Sequence, residues 1–144
     1  MKGGTAAANL MRVLLVDANP TFLAAAARCL ASDGTLALVG QASTGSEALR
    51  QAADLRPDLV LVDIGLRDMN GLEVARLIKG RPNPPRVVVL ALNEGSAYTD
   101  AARMVGADGF IAKADFYEQV YGLIHAWLAE PSAPASSAPN GMAA

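Results

Sequence analysis

The chain has 144 residues, the size of one ordinary domain, and 52% of them are hydrophobic, enough for a core without disulfides or metal. Basic residues number 12 against 14 acidic ones, and this near balance argues against a dedicated nucleic-acid binder. The single cysteine, Cys29, favours a reducing, cytoplasmic location. No run approaches the roughly 18 apolar residues of a membrane span, and residues 1–9 lack the apolar stretch of a signal peptide. We therefore expect a cytoplasmic protein that contacts neither membrane nor nucleic acid directly.

The composition of both chain ends predicts disorder. Residues 1–9 show no hydrophobic periodicity, and residues 131–144 consist largely of Pro, Ser and Ala with no charged side chain. The second segment has the composition of a linker, although we expect no further domain after it. All folded structure is therefore expected in one domain over residues 10–130.

The first half of that domain predicts strands and helices in alternation. The run Arg12-Val-Leu-Leu-Val16, apolar after its first residue, indicates a strand buried on both faces. A helix follows over about 20–31, and a second strand covers 36–41. The sequence Thr44-Gly-Ser-Glu47 has the form of a capping box, which predicts a helix over about 44–55. A third apolar strand covers 59–62.

The second half repeats the alternation. A helix is predicted from Leu72 to Gly80, a strand over 87–90, a helix over about 96–105 and a fifth strand over 109–112. Asp115, with Glu118 three residues on, is expected to cap a last helix that runs to about Ala129. Five strands that alternate with five helices predict an α/β fold, a doubly wound five-stranded parallel sheet with helices on both faces.

Charged side chains follow three of the predicted strands. Asp17 comes directly after the first strand, Asp63 after the third, and Lys113 after the fifth, while Ala91 and Leu92 end the fourth. A doubly wound sheet places its ligand site beyond the carboxyl ends of its strands. A strand-terminal Asp is also a good turn former, and a lone Lys is usually solvated. The three together nevertheless predict one shared site.

The motifs Pro57-Asp-Leu-Val-Leu-Val-Asp63, Met69-Asn-Gly-Leu72 and Gly106-Ala-Asp-Gly-Phe-Ile-Ala-Lys113 resemble the receiver domains of bacterial two-component response regulators. The turn Val16-Asp-Ala-Asn-Pro20 matches this family's acidic turn in part, and the resemblance covers Met11 to Ala129. It implies the (βα)5, flavodoxin-like receiver fold. It is closest to the branch that usually carries helix-turn-helix output domains.

The resemblance also implies roles for particular residues. Asp63 corresponds to the phospho-acceptor, which takes a phosphoryl group from a histidine kinase or phosphotransfer protein, and Lys113 to the lysine that pairs with it. Asp17 belongs to the acidic pocket. With Asp63 and the backbone carbonyl of Gly65 it would hold Mg²⁺. Phe110 corresponds to the switch aromatic.

Four positions near this pocket depart from the family pattern. Ala18 replaces the acid that usually binds the metal directly, which predicts a weak or absent Mg²⁺ site. Ala91 stands at the other switch position, where the family has Ser or Thr, so the hydroxyl that senses the phosphoryl group is missing. Leu92 is expected to narrow access to the pocket. Arg67 replaces a proline and either stays solvated or folds back to pair with the two aspartates.

The residues leave two main functions open. The first is a receiver that accepts a phosphoryl group on Asp63 weakly, because Ala18 and Ala91 remove cooperating groups. The second is a pseudo-receiver, a protein-binding module that works without phosphorylation. Neither is an enzyme beyond slow autodephosphorylation. A hydrolase or flavodoxin-like carrier lacks support, since the sequence has no Gly-rich phosphate loop and no nucleophile elbow.

The last predicted helix has a wide apolar face. Tyr117 and Tyr121 either shield the core edge or contact an output partner or a second copy, through the surface of helix 4, strand 5 and helix 5 that the family commonly uses. His125, the only histidine, is expected at the surface, and Cys29 is expected in the core.

Overall fold

The computed structural model describes residues 10–92 and 95–130. The predicted disorder of residues 1–9 and 131–144 lies outside the described residues. Strands and helices alternate along the described chain: β1 Met11–Val16, α1 Pro20–Ala31, β2 Leu36–Ala42, α2 Gly45–Leu55, β3 Leu59–Asp63, α3 Gly71–Lys79, β4 Arg86–Ala91, α4 Ser96–Met104, β5 Gly109–Ala112 and α5 Phe116–Leu128. A short 3₁₀ turn, Lys113–Asp115, joins β5 to α5. In the described part of the chain, no helix combines the length and apolar character needed to cross a membrane.

All neighbouring strands are parallel, and their order in the sheet is β2-β1-β3-β4-β5. The doubly wound five-stranded parallel sheet expected from the sequence is therefore confirmed. The chain first moves outward from β1 to β2 and then crosses back to β3. The direction thus reverses between β1 and β3, and parallel sheets bind ligands at such a point.

Two apolar layers hold the helices against the sheet. One layer joins the sheet to α2, α3 and α4, and the other joins it to α1 and α5. The β3 residues Leu59–Val62 are fully buried because they contribute to both layers. Burial on both faces explains why the strand sequences are continuous Val and Leu runs rather than alternating patterns.

Side chains cap three of the helices at their amino termini. The Asn19 carboxamide accepts the backbone N–H groups of Thr21 and Phe22 at the start of α1. Thr44 caps α2, as the sequence predicts, but the Glu47 carboxylate accepts the N–H of Ser43 rather than that of Thr44. The capping box is therefore only half formed.

Asn70 caps α3, whereas Asp115 makes no capping hydrogen bond at the start of α5. The expected cap at Asp115 is thus wrong. The physical reason is the 3₁₀ turn that ends at Asp115, which gives this residue φ −108° and ψ 21° instead of the extended backbone of a capping residue.

Gly71 fixes the segment that follows β3. Its N–H donates to the carbonyl of Ile64 at 2.8 Å, and a Cβ atom at this position would collide with the Asp63 carbonyl. Only glycine fits so close to another backbone segment. The Asn-Gly pair of the sequence motif therefore holds the acidic end of β3 against the start of α3.

At the end of the sheet opposite Asp63, the first residue of β4 contacts the end of α5. The Arg86 guanidinium lies 4.6 Å from the centre of the Trp127 ring and 2.6 Å from Glu130 Oε1. Trp127 is half-buried and packs against the layer formed with α1 and α5. This contact joins the beginning of β4 to the end of α5.

Candidate functional site

Asp17 lies immediately after β1 and is almost completely buried, with 1% of its surface exposed. Its Oδ1 accepts the backbone N–H of Asn19 at 2.8 Å. The backbone N–H of Asp17 donates to the Ala42 carbonyl at the end of β2. These two bonds direct the carboxylate inward at the switch point of the sheet.

Asp63 is the last residue of β3, and 7% of its surface is exposed. Its Oδ2 accepts the N–H of Gly65 at 3.0 Å. Burial raises the pKa of Asp63 above its ordinary value, the nearby charge of Asp17 raises it further, and the Lys113 ammonium and the Gly65 N–H oppose the increase. The neutral form of this carboxyl is thus favoured more than it would be in water.

Lys113 follows β5 and lies between the two carboxylates. Its Nζ is 2.6 Å from Asp17 Oδ2 and 3.0 Å from Asp63 Oδ1, and 10% of its side chain is exposed. The same Nζ lies 4.5 Å from the centre of the Phe22 ring. Among the described residues, Asp17 Oδ2 has no well-directed hydrogen bond, so the short contact with Lys113 is chiefly electrostatic. Two carboxylates and one ammonium leave this group with a formal charge of −1.

These three side chains lie in a cavity of about 570 Å³ at the carboxyl ends of the strands. Ile64, Pro20 and Tyr98 contribute apolar surface to its walls. The sequence-based expectation that Asp17, Asp63 and Lys113 share one site therefore agrees with their positions in the structure.

The four residues that differ from the family pattern also line this cavity. Ala18 packs its methyl group against the core, and Ala91 is buried with 5% of its surface exposed. Leu92 is 75% exposed at the cavity mouth. Arg67 is also exposed and forms no ion pair with the described residues, so it does not fold back onto the aspartates. Lys113 makes the contacts with both aspartates that a folded-back Arg67 was expected to make.

The donor atoms fit a divalent metal poorly. Mg²⁺ needs oxygen ligands, and the part of the chain that the structure describes contains no group of three acidic, His or Cys residues placed to hold a metal. All four oxygens of Asp17 and Asp63 already have partners: the N–H groups of Asn19 and Gly65, and Lys113. The amide oxygen of Asn19, which also lines the cavity, is engaged in capping α1.

Phe110, the expected switch aromatic, is half-buried on the face of the sheet that carries α2, α3 and α4. It pairs in register with Val89 of β4, while Ala91 pairs with Ala112. The two expected switch positions thus lie on adjacent strands.

Tyr117 and Tyr121 are exposed, at 57% and 46% of their surface. They border α1 instead of α4, because they line a small crevice with Cys29 and Asp33. The expected partner contact of these tyrosines stays a prediction, and in the structure their side chains lie beside α1. The phase of α5 is the reason, since Phe116, Val120 and Ile124 face the sheet and turn the tyrosines toward α1.

His125 is not a simple surface residue. Its Nε2 lies 3.0 Å from Asp33 Oδ2, and its ring stacks on Tyr121 with centroids 4.1 Å apart. Cys29 is half-buried at the edge of the core. Among the described residues, His125 belongs to no group of three His, Cys, Asp or Glu side chains placed to hold a metal.

Two residues near the pocket escaped the sequence analysis. The Asp68 carboxylate accepts the N–H groups of Gly45 and Ser46 and the Ser46 hydroxyl, which ties the loop after β3 to the start of α2. These backbone hydrogen bonds lower the pKa of Asp68 to about 2. Phe22 is the second of these residues, since its ring centre lies 4.5 Å from Lys113 Nζ. For Asp68, neither spacing nor composition carries a signal, because its partners lie more than 20 residues away.

The family is shown by comparison with known proteins. A family model described as the response regulator receiver domain matches residues 13–120. The chain therefore belongs to the response regulator receiver domain family of two-component signalling.

Individual relatives agree with this assignment. The response regulator GacA of Pseudomonas viridiflava is 34% identical over 105 residues, which cover 72% of this chain and 49% of that protein. The chain thus spans about half the length of the curated relatives that it matches first. A signal receiver domain from Mycobacterium tuberculosis superposes with a TM-score of 0.78 at 26% identity, covering 85% of this chain and 99% of that one. For the response regulator domain of Thermotoga maritima CheB, the TM-score is 0.76, the identity 28% and the coverage 85% and 99%.

Proposed function

We propose that this protein is a cytoplasmic receiver that accepts a phosphoryl group on Asp63, slowly, from the phosphohistidine of a histidine kinase or phosphotransfer protein. The observation that carries the proposal is the position of Asp63, whose carboxylate lines an open cavity with the Lys113 ammonium 3.0 Å away. Apart from accepting and slowly losing this group, the protein catalyses no reaction.

In the proposed step, the Asp63 carboxylate attacks the phosphorus atom. An O–P bond forms, the N–P bond of phosphohistidine breaks, and its electron pair stays on the imidazole, which leaves neutral because its other ring nitrogen carries a proton. The product is an acyl phosphate. Lys113 stabilises the phosphoryl oxygens by direct charge contact.

The transfer is slow because the pocket carries little positive charge. One ammonium faces two carboxylates, so an incoming phosphoryl dianion meets a site with a formal charge of −1. Ala18 adds no ligand for a metal that would offset this charge, and Ala91 provides no hydroxyl to bind a phosphoryl oxygen. Phosphorylation and its readout are thus both weakened.

The output is proposed to pass through a partner protein. In this proposal, Phe110 responds to phosphorylation and changes the surface formed by α4, β5 and α5, which contacts the partner or a second copy of the chain. Tyr117 and Tyr121 provide a separate aromatic surface beside α1. Direct DNA contact is not part of the proposal, since the net charge of the chain is −2.

The alternative is a pseudo-receiver, which binds its partner without phosphorylation. The specific observation in its favour is that Lys113 contacts both carboxylates, so the resting pocket is already internally paired. The buried methyl group of Ala91 also leaves that part of the cavity wall without a polar side chain.

Intact-mass spectrometry after incubation with acetyl phosphate or a phosphorylated kinase separates the two functions. The acceptor proposal predicts a slow mass increase of one phosphoryl group in the wild type and none in Asp63→Asn. Asp54→Asn is a matched control, because Asp54 is an exposed carboxylate on α2, away from the pocket.

The double variant Ala18→Asp/Ala91→Thr should accept the group faster than the wild type, since it supplies the absent ligand and hydroxyl. An unmodified mass in every sample, including the double variant, would refute the acceptor proposal and favour the pseudo-receiver.

A further inference from the structure

Lys113 occupies the electrostatic centre of the pocket. Its Nζ lies within 3.0 Å of one oxygen from each buried carboxylate. Both aspartates are at most 10% exposed in their side chains, so water screens their charges poorly. Two such carboxylates need a cation nearby, because an unpaired buried charge is strongly unfavourable.

Two aromatic rings help to position this ammonium, one directly and one through the other. The Phe22 ring lies below it at 4.5 Å, and a cation over an aromatic face is attracted by the ring. Phe22 is itself held by an edge-to-face contact with Phe116, whose ring centre lies 5.3 Å away. The lysine therefore has a built position rather than a free side chain.

A divalent metal would have to displace this lysine. The two aspartate oxygens that do not contact Lys113 accept backbone N–H groups, from Asn19 and from Gly65. Mg²⁺ also loses its water ligands reluctantly and prefers carboxylate oxygens, and no third carboxylate is present at Ala18 to compensate.

We propose that Lys113 is the resident cation of this pocket and takes the electrostatic place of a divalent metal, so that the resting protein is insensitive to Mg²⁺. Lys113 and a divalent cation compete for Asp17 and Asp63. The inference rests on the proposed function for the identity of the pocket, but it holds whether or not Asp63 is phosphorylated.

The test measures metal binding directly on the full 144-residue chain, without a phosphoryl donor. Thermal unfolding is recorded with and without about 10 mM MgCl₂, and isothermal titration calorimetry is run with MgCl₂ and MnCl₂. The variants are Lys113→Met, Lys113→Gln and Ala18→Asp. Lys79→Met is the matched control, because Lys79 forms a comparable ion pair with Asp108 at 2.9 Å and does not line the cavity.

The wild type and Lys79→Met should show no midpoint shift with Mg²⁺. Lys113→Met should gain a Mg²⁺-dependent increase of at least about 5 °C, since two carboxylates then lack their cation. Ala18→Asp should gain a similar increase through its added ligand. Lys113→Gln replaces Lys113→Met if the latter does not fold.

Two results would overturn the inference: a wild-type Mg²⁺ response as large as that of Ala18→Asp, or folded Lys113 variants that bind no metal. Neither result depends on phosphorylation. A protein that takes up no phosphoryl group in the mass measurement can therefore still exclude metal through Lys113. Conversely, a protein that is phosphorylated on Asp63 can still bind Mg²⁺ and so contradict this inference.

Discussion

Phe22 of α1 supports Lys113 of the pocket from below, with the ammonium 4.5 Å from the ring centre. Through its contact with Phe116, the same ring joins α1 to α5. A helix-packing contact and a charged site thus share one side chain, which is why we expect stability and pocket geometry to change together when it is altered.

Phe22→Leu should lower the free energy of unfolding by about 1–2 kcal/mol, because the aromatic contact and the cation contact are both lost. Urea denaturation of the wild type, Phe22→Leu, Lys113→Met and the double variant measures their coupling. We expect the double variant to lose less than the two single losses combined. Strict additivity would show that the ring does not support the ammonium.

Asp63→Asn should stabilise the protein near neutral pH, by about 1 kcal/mol, a common size for single substitutions. The pKa of Asp63 is raised, first by burial and then by Asp17, so the carboxyl is better tolerated protonated. The raised pKa means that the protonated Asp63 carboxyl favours the folded state. This stabilisation is fully present below 3.8, the pKa in the unfolded chain, and is lost as the pH rises through the higher pKa in the folded protein.

The difference in free energy of unfolding between Asp63→Asn and the wild type should therefore shrink as the pH is lowered toward 3.8. Urea denaturation at several pH values measures it. An advantage that stays constant or grows in acid would contradict the assigned direction of the shift.

Asp68→Ala should loosen the start of α2, because the N–H groups of Gly45 and Ser46 lose their acceptor. We expect faster amide hydrogen exchange at these two residues and little change at Thr21 and Phe22, which Asn19 caps independently. In the wild type, the amide proton shifts of Gly45 and Ser46 should titrate with a midpoint of about 2, the pKa of Asp68.

The stabilisation from Asp68 is present above the unfolded value of 3.8 and is lost as the pH falls toward about 2. Amide shifts that stay flat over this range, or identical exchange in the Ala variant, would show that the bonds do not form in solution.

Asp33→Asn should destabilise the protein by about 1–2 kcal/mol at neutral pH, since charged hydrogen bonds to Thr35 and His125 are weakened. Burial alone would raise the pKa of Asp33, but the bonds from Thr35 and His125 outweigh it and lower the pKa. The stabilisation is thus present above 3.8 and is lost as the pH falls below that value. Chemical denaturation should give wild-type and variant curves that converge in acid, and a difference that persists at low pH would argue against the hydrogen bonds assigned to the Asp33 carboxylate.

Gly71→Ala should cost more than about 3 kcal/mol or prevent folding, because the new methyl group meets the Asp63 carbonyl. Gly122→Ala is the control, since a Cβ at this exposed position of α5 meets no atom within 4 Å. It should raise the free energy of unfolding by about 0.5–1 kcal/mol. Thermal unfolding compares the two, and equal effects of both substitutions would remove the structural role assigned to Gly71.

The sequence predicts the fold well because strands buried on both faces appear in it as uninterrupted runs rich in Val and Leu. It also predicts that Asp17, Asp63 and Lys113 meet, since residues that end parallel strands share one edge of the sheet. Contacts set by packing are a different matter. Two examples are the orientation of α5 that places Tyr117 beside α1 and the hydrogen bond from Gly45 to Asp68. Both depend on how the helices pack against the sheet, which the local spacing of residues does not predict.

Trp127 is the chain's only tryptophan, and it lies against Arg86 at the end of the sheet opposite the pocket. Intrinsic fluorescence excited at the indole therefore reports on the docking of the last turn of α5, while events around Lys113 take place at the other end of the strands. An emission change on adding a phosphoryl donor would thus record a signal transmitted across the domain, and a silent spectrum would place any response at the carboxyl edge alone.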